Sequence, residues 1–131
     1  MSKLIKFSNP TEMSPTFGYS HIAVVRANET IYISGQVAFD QTGNIIGKGD
    51  VLTQAEQVFK NIDKALSALE LGFDDIVKLT FYLTDISQMK YVREVRDQYI
   101  NINNPPTSSA VEVSRLIHED LLIEIEAIAV R

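Results

Sequence analysis

Apolar and polar positions change period several times along this chain, and each change marks an element. Two short apolar-rich runs, Ile22 to Ala27 and Thr30 to Gln36, read as strands, and Asn28-Glu29 between them has the two-residue length of a tight hairpin. Asn28 is a residue type that tolerates φ > 0 there. The first 20 residues, rich in Ser, Pro and Thr, read as a short strand followed by a loop, and Gly43-Asn44 marks a turn in a polar loop. From Thr53 to Leu71 the period becomes helical: Ala55, Val58, Phe59, Ile62, Ala65, Leu66 and Leu69 form one apolar stripe. Thr53 with Glu56 reads as a capping box, and Gly72 as a C-terminal stop.

Strict alternation follows. Val77, Leu79, Phe81 and Leu83 fall on one face and Lys78, Thr80, Tyr82 and Thr84 on the other, the pattern of a strand with one face on a core. A second helix is expected from about Ser87 to Ile100, with Met89, Val92, Val95 and Tyr99 inward, and Pro105-Pro106 prevents its continuation. Strands over about Ser108 to Ser114 and Leu121 to Val130 close the chain. The order β-β-β-α-β-α-β-β predicts a single α+β domain over residues 1–131, with two helices on one face of a mixed sheet. The opposite face then needs a cover. The last strand carries Leu122, Glu124, Glu126, Ile128 and Val130 on one side and Ile123, Ile125, Ala127 and Ala129 on the other. Both sides are too apolar for free exposure, which makes self-association the economical expectation.

Composition narrows the chemistry. With 131 residues, 45% hydrophobic and 22% charged, the chain can bury one sizeable core. It has no cysteine, so disulfides, thiolate metal sites and a cysteine nucleophile are excluded. The N-terminal residues hold no apolar run of signal-peptide length, and no run approaches the ~18 apolar residues of a transmembrane helix. The expectation is a cytoplasmic protein with no membrane partner. A net charge of −5, with scattered Lys and Arg, argues against nucleic acid as the main partner.

Several residues suggest chemistry, each beside a plainer reading. Glu124 and Glu126 share a strand face, where mutual repulsion would raise a carboxyl pKa for acid–base work; alternatively both are structural carboxylates at an interface. His21 and His118 have no partner at metal-ligand spacing, so no metal or other cofactor is expected. Gly47-Lys48-Gly49-Asp50 lacks the spacing of a phosphate loop. Ser34-Gly35-Gln36 ends a strand with a glycine where backbone approaches either a ligand or another strand. In Pro105-Pro106-Thr107-Ser108-Ser109-Ala110-Val111 a rigid double proline delivers three hydroxyls onto a strand, suited to a polar headgroup or simply to a β-edge.

In order along the chain, Gly18-Tyr19-Ser20, Ile33-Ser34-Gly35-Gln36, Asp75-Ile76-Val77-Lys78 leading to Leu83-Thr84-Asp85, Pro105-Pro106 with Ser109-Ala110-Val111, Val113-Ser114-Arg115-Leu116 and Ile123-Glu124-Ile125-Glu126-Ala127 resemble the RidA (YjgF, L-PSP) family. The resemblance spans nearly the whole chain. It implies a chorismate-mutase-like fold: a mixed six-stranded sheet with two helices on one face, assembled into a barrel-like homotrimer with ligand clefts between subunits. It further implies hydrolysis of reactive imines or enamines, such as 2-aminoacrylate, to a 2-keto acid and ammonia. A glutamate at the position of Glu124 would orient or activate water, and Tyr19, Ser34, Gly35 and Ala110 would line the pocket.

The family's Pro-x-Arg-Ser is broken here. The chain reads Pro106-Thr107-Ser108-Ser109, so Ser108 stands where an arginine would grip the substrate carboxylate. Arg115, seven residues on, would face the other side of a regular strand. Ser87 replaces a usual asparagine, and His21 a common glutamine. Three readings follow. One is an imine or enamine deaminase-like hydrolase with altered substrate preference, using Glu124 as the catalytic group and Ser87, Thr107 and Ser108 as binding groups. The second is a non-catalytic trimer that binds a small polar metabolite. The third, disfavoured by the acidic charge, is an endoribonuclease.

Overall fold

The structure, a computed structural model, describes residues 3–131. The alternation around residue 80 becomes the centre of the fold. In β4 (Ile76–Leu83) the side chains of Ile76, Leu79, Phe81 and Leu83 are buried, while Lys78, Thr80 and Tyr82 are partly open. On one side β4 pairs in parallel with β5 (Thr107–Glu112), and on the other antiparallel with β6 (Ile123–Val130). β6 also pairs antiparallel with β3 (Thr30–Gln36), giving the strand order β3-β6-β4-β5. The parallel β4–β5 pair requires a crossover, and the segment containing α2 (Met89–Arg96) supplies it.

α1 (Val51–Ser67) lays Val51, Ala55, Val58, Phe59, Ile62 and Leu66 on the sheet. It starts two residues before the expected Thr53 and is capped differently. Asp50 Oδ1 accepts from the backbone amides of Leu52 (3.1 Å) and Thr53 (3.3 Å), and its Oδ2 accepts from Thr53 Oγ1 (2.8 Å). A carboxylate at the positive end of the helix is a stronger cap than the Thr53 hydroxyl, which it engages instead. Glycines at positive φ on either side of Lys48 make Gly47–Asp50 the turn that sets up this cap. At the other end the helix stops at Ser67. The reversal is made by Glu70 at φ 59°, with Leu71 N–H donating to Leu66 O, ahead of Gly72. The second helix is shorter than expected: a 3-10 turn over Ile86–Gln88 precedes α2, and single-turn bonds carry the chain on to Ile100.

Phe59 stacks on Tyr99 with ring centroids 5.1 Å apart, and Phe73 and Phe81 close round them. Gln54 is fully buried and fully used: Nε2 donates to Asp120 O (2.8 Å), and Oε1 accepts from Leu122 N–H (2.8 Å). It ties the start of α1 to the segment entering β6 without an orphaned polar group.

Among the described residues six strands form, but not one sheet. β1 (Leu4–Ser8) pairs only with β2 (Ile22–Arg26), from Leu4↔Arg26 to Ser8↔Ile22, so the expected six-stranded sheet is divided into four strands and two. The Asn28-Glu29 hairpin is absent as well. The backbone amides of Asn28 and Glu29 both donate to Arg131 O (3.0 and 2.8 Å), and Arg131 N–H donates to Glu29 O (2.9 Å). The chain's last residue thus uses the groups that a hairpin would have closed, and Asn28 keeps negative φ. The smaller sheet is held to the larger at Ser20, whose N–H donates to Pro106 O (3.0 Å) and whose Oγ donates to Pro105 O (2.6 Å).

Candidate functional site

The expected site residues fall into two groups on opposite faces of the four-stranded sheet. Register decides this. Glu124 lies opposite Tyr82 and Glu126 opposite Thr80, so both carboxylates stand on the face away from the helices. Ser108 lies opposite Leu79 and Ala110 opposite Phe81, so their side chains take the helix-covered direction, at the sheet edge beside α2. Within one chain Glu124 and Ser108 are not brought together.

On the open face, Glu124 and Glu126 sit on β6 beside Tyr82. Tyr82 Oη donates to Glu126 Oε1 at 2.8 Å, and that bond pushes the Tyr82 phenol above its ordinary pKa, with burial and the two carboxylates adding to it. Glu124 has no hydrogen-bond partner among the described residues. Burial raises its carboxyl pKa, and the neighbouring charge of Glu126 raises it further. Both effects favour the protonated form, which suits Glu124 to proton exchange.

Gly35 explains where Glu124 is held. A Cβ on Gly35 would meet Glu124 Oε2 at 2.0 Å and its Cδ at 2.7 Å, so the carboxylate rests against bare backbone. Between Ile33 and Gln36 the β3–β6 register shifts, and Ser34, exposed like Tyr32 on the same face, borders the cavity that Glu126 lines. Lys78, whose Nζ donates to Ser109 Oγ (3.1 Å), completes the polar side of this face.

The second group surrounds a cavity of about 340 Å³ at the β5 edge. Tyr19, Ser108 and Ala110 line it, together with Met89, Arg93 and Arg96 of α2. Arg96 is only 6% exposed, and its Nε and Nη2 both reach Asp97 Oδ1 (3.0 and 2.9 Å). Ser87 lies apart from this cavity's lining, its hydroxyl donating to Asp85 Oδ1 (2.6 Å) at the turn before α2. Thr107 is likewise occupied locally, its Oγ1 donating to Val77 O.

Sequence reasoning missed Arg93, Arg96 and Tyr82. A signal existed for two of them. Arg96 falls on the same helical stripe as Val92 and Tyr99, an unusual place for a charge, and Tyr82 was already on the polar side of the alternating strand. Of the histidines, His21 Nε2 is bonded to Ser14 O (2.8 Å) and His118 Nδ1 accepts from Asp120 N–H (3.0 Å). Arg115 borders a different cavity, with His118. Among the described residues no three acidic or histidine side chains converge as a metal site, and no helix is long and apolar enough to cross a membrane.

This split site sits on a widely shared scaffold. A sequence model described as Endoribonuclease L-PSP matches residues 10–131. The chain belongs to this family, the RidA/YjgF family. It is 34% identical over 131 residues to the human 2-iminobutanoate/2-iminopropanoate deaminase, covering all of this chain and 94% of that one. A RutC family protein of Pyrococcus horikoshii is 39% identical over 120 residues, with 91% and 93% covered. Among solved structures, the Rid family protein YyfB of Yersinia pestis superposes with TM-score 0.86 at 31% identity over the full length of both chains. The E. coli YjgF gene product gives TM-score 0.68 at 35% identity, covering 79% of this chain and 82% of that one.

Proposed function

We propose that this chain is an imine or enamine deaminase-like hydrolase whose substrate preference is altered because Ser108 replaces the usual arginine. The observation that carries the reading is Glu124: a carboxylate without a hydrogen-bond partner among the described residues, its pKa raised, laid against a glycine where a Cβ would overlap it. The separation of the two residue groups supports clefts between subunits of a homotrimer, where the open face of one chain meets the β5 edge of another. The ligand is a small polar metabolite.

The reaction balances without a cofactor. Water attacks the imine carbon as Glu124 accepts one of its protons, forming a carbinolamine. With the imine entering protonated, Glu124 returns that proton to nitrogen; as the C–N bond breaks, the hydroxyl proton passes to Glu124, and a keto group and ammonia remain, the proton left on Glu124 being the one the iminium brought. Tyr19, Ser34, Gly35, Ser108 and Ala110 shape the cleft, with Ser87 and Thr107 behind it. The name of the human relative, an iminobutanoate deaminase, favours this chemistry over nucleic-acid cleavage, as does the net charge of −5.

The test is hydrolysis of imino acids generated in place by an amino-acid oxidase, measured for the wild type and for Glu124→Gln. Turnover that disappears in the variant supports the reading. Turnover that persists unchanged, or a wild type without activity on any imino acid, defeats it and favours a binding protein.

A further inference from the structure

We propose that Arg93 and Arg96 on α2 form a carboxylate-binding subsite with Tyr19 and Ser108, supplying from the helix the cation that β5 lacks. The inference rests on the imine hydrolase reading above for the substrate's class, and on the cavity itself for the site.

Among the described residues the cavity wall holds two cations and no carboxylate. In a chain of net charge −5 such a corner concentrates small anions. Arg96 is nearly buried, and a buried guanidinium must be answered. Asp97 does so with a single oxygen, Oδ1, taken by Nε and Nη2, and Nη1 has no protein acceptor among the described residues. Arg93 is exposed on the same helix, one turn earlier, and forms no ion pair among the described residues. Two arginines three residues apart on one helix point the same way, a spacing that lets both reach one carboxylate.

The loop before β2 is built round this guanidinium. Gly18 has φ +78°, a conformation that favours glycine, and a Cβ there would lie 2.0 Å from Arg96 Nη2 and 2.5 Å from Cζ. Gly18 therefore admits the charge beneath Tyr19, and Ser20 locks the loop to Pro105 and Pro106. An arginine at position 108 would crowd two existing cations. The small hydroxyl of Ser108 instead leaves the space open and can donate to the same carboxylate. Phe17, 78% exposed, and Met89 supply an apolar wall for a short side chain.

Pyruvate serves as the carboxylate probe, pyruvamide as its neutral counterpart and inorganic phosphate as the competing anion, with binding to the full chain followed by NMR titration. Arg93→Gln and Arg96→Lys are each expected to weaken pyruvate binding about tenfold or more while leaving pyruvamide unchanged. Arg93 is exposed, so its variant folds even if Arg96→Lys does not. Pyruvate affinity unchanged in Arg93→Gln and in a folded Arg96→Lys overturns the proposal, as does a wild type that binds phosphate more tightly than pyruvate. Glu124→Gln separates the two ideas. It should keep pyruvate binding and lose turnover; if turnover survives while the arginine variants still lose pyruvate, the subsite stands and the hydrolase reading falls.

Discussion

The two faces of the four-stranded sheet are made by the same strands and do opposite work. Toward the helices, Leu79, Phe81 and Leu83 of β4 meet Ile123, Ile125 and Ala127 of β6 in a dry core. Away from them, Thr80 and Tyr82 meet Glu126 and Glu124, and Glu124 is held above its ordinary pKa by burial and then by the charge of Glu126. One face is organised by burial, where a missing atom costs stability. The other is organised by electrostatics, where, on the proposed function, a missing atom costs chemistry. The largest test of this contrast is a pair of neighbours on β4. Phe81→Ala should lose about 3–5 kcal/mol, whereas Thr80→Ala should stay within about 0.5 kcal/mol. Urea unfolding of both variants checks it, and equal losses would mean that the open face is as tightly built as the core.

Gly35→Ala moves the test to chemistry. The added methyl overlaps Glu124 Oε2, so the carboxylate must swing away. A shift of that size at a reacting group costs about 100-fold in turnover. The β3 bulge region is at the sheet edge, so the thermal midpoint should move far less than in Phe81→Ala. A variant that retained full imine hydrolysis would show that Glu124 need not rest where it does.

These outcomes also bear on what could be read without coordinates. The alternation at residues 77–84 and the stripe of α1 were legible because burial on one side repeats with a fixed period, and each residue needs only its neighbours to declare it. The division of the strands was not legible. Whether β2 pairs with β3 depends on Arg131, which is remote in sequence yet takes the amides of Asn28 and Glu29. The cap of α1 was misread for a smaller reason: Thr53 does make a capping bond, but as donor to Asp50. Resemblance pointed to Glu124, Gly35 and Ser108 as candidate positions. It did not show that one chain places Glu124 and Ser108 on opposite faces, nor that α2 brings two arginines to the second group. Those facts follow from register and crossover geometry, which motifs do not encode.

A smaller effect is expected at Tyr82. Tyr82→Phe removes the 2.8 Å bond to Glu126 and leaves a half-buried carboxylate that water can reach. The cost should be about 1 kcal/mol by urea unfolding. If Tyr82 instead serves the reaction through Glu126, the same variant changes the pH profile of turnover while KM stays fixed.

The smallest effect has the most informative sign. Glu124 has a folded-state pKa above its ordinary value, mainly through burial and then through Glu126. Between the two pKa values the native chain holds the proton more tightly than the unfolded chain, so stability falls as pH rises through that window, and the loss persists above it. Glu124→Gln carries no such loss. Relative to the variant, the wild type should therefore weaken as pH climbs from the acid side of the window to neutrality, by no more than about 0.5 kcal/mol for a partly exposed group. Urea midpoints of both proteins across that range give the answer. A wild type that gained on the variant with rising pH would mean that some group in the assembled protein stabilises the carboxylate, and the open face would then be a paired structural site and not a poised one.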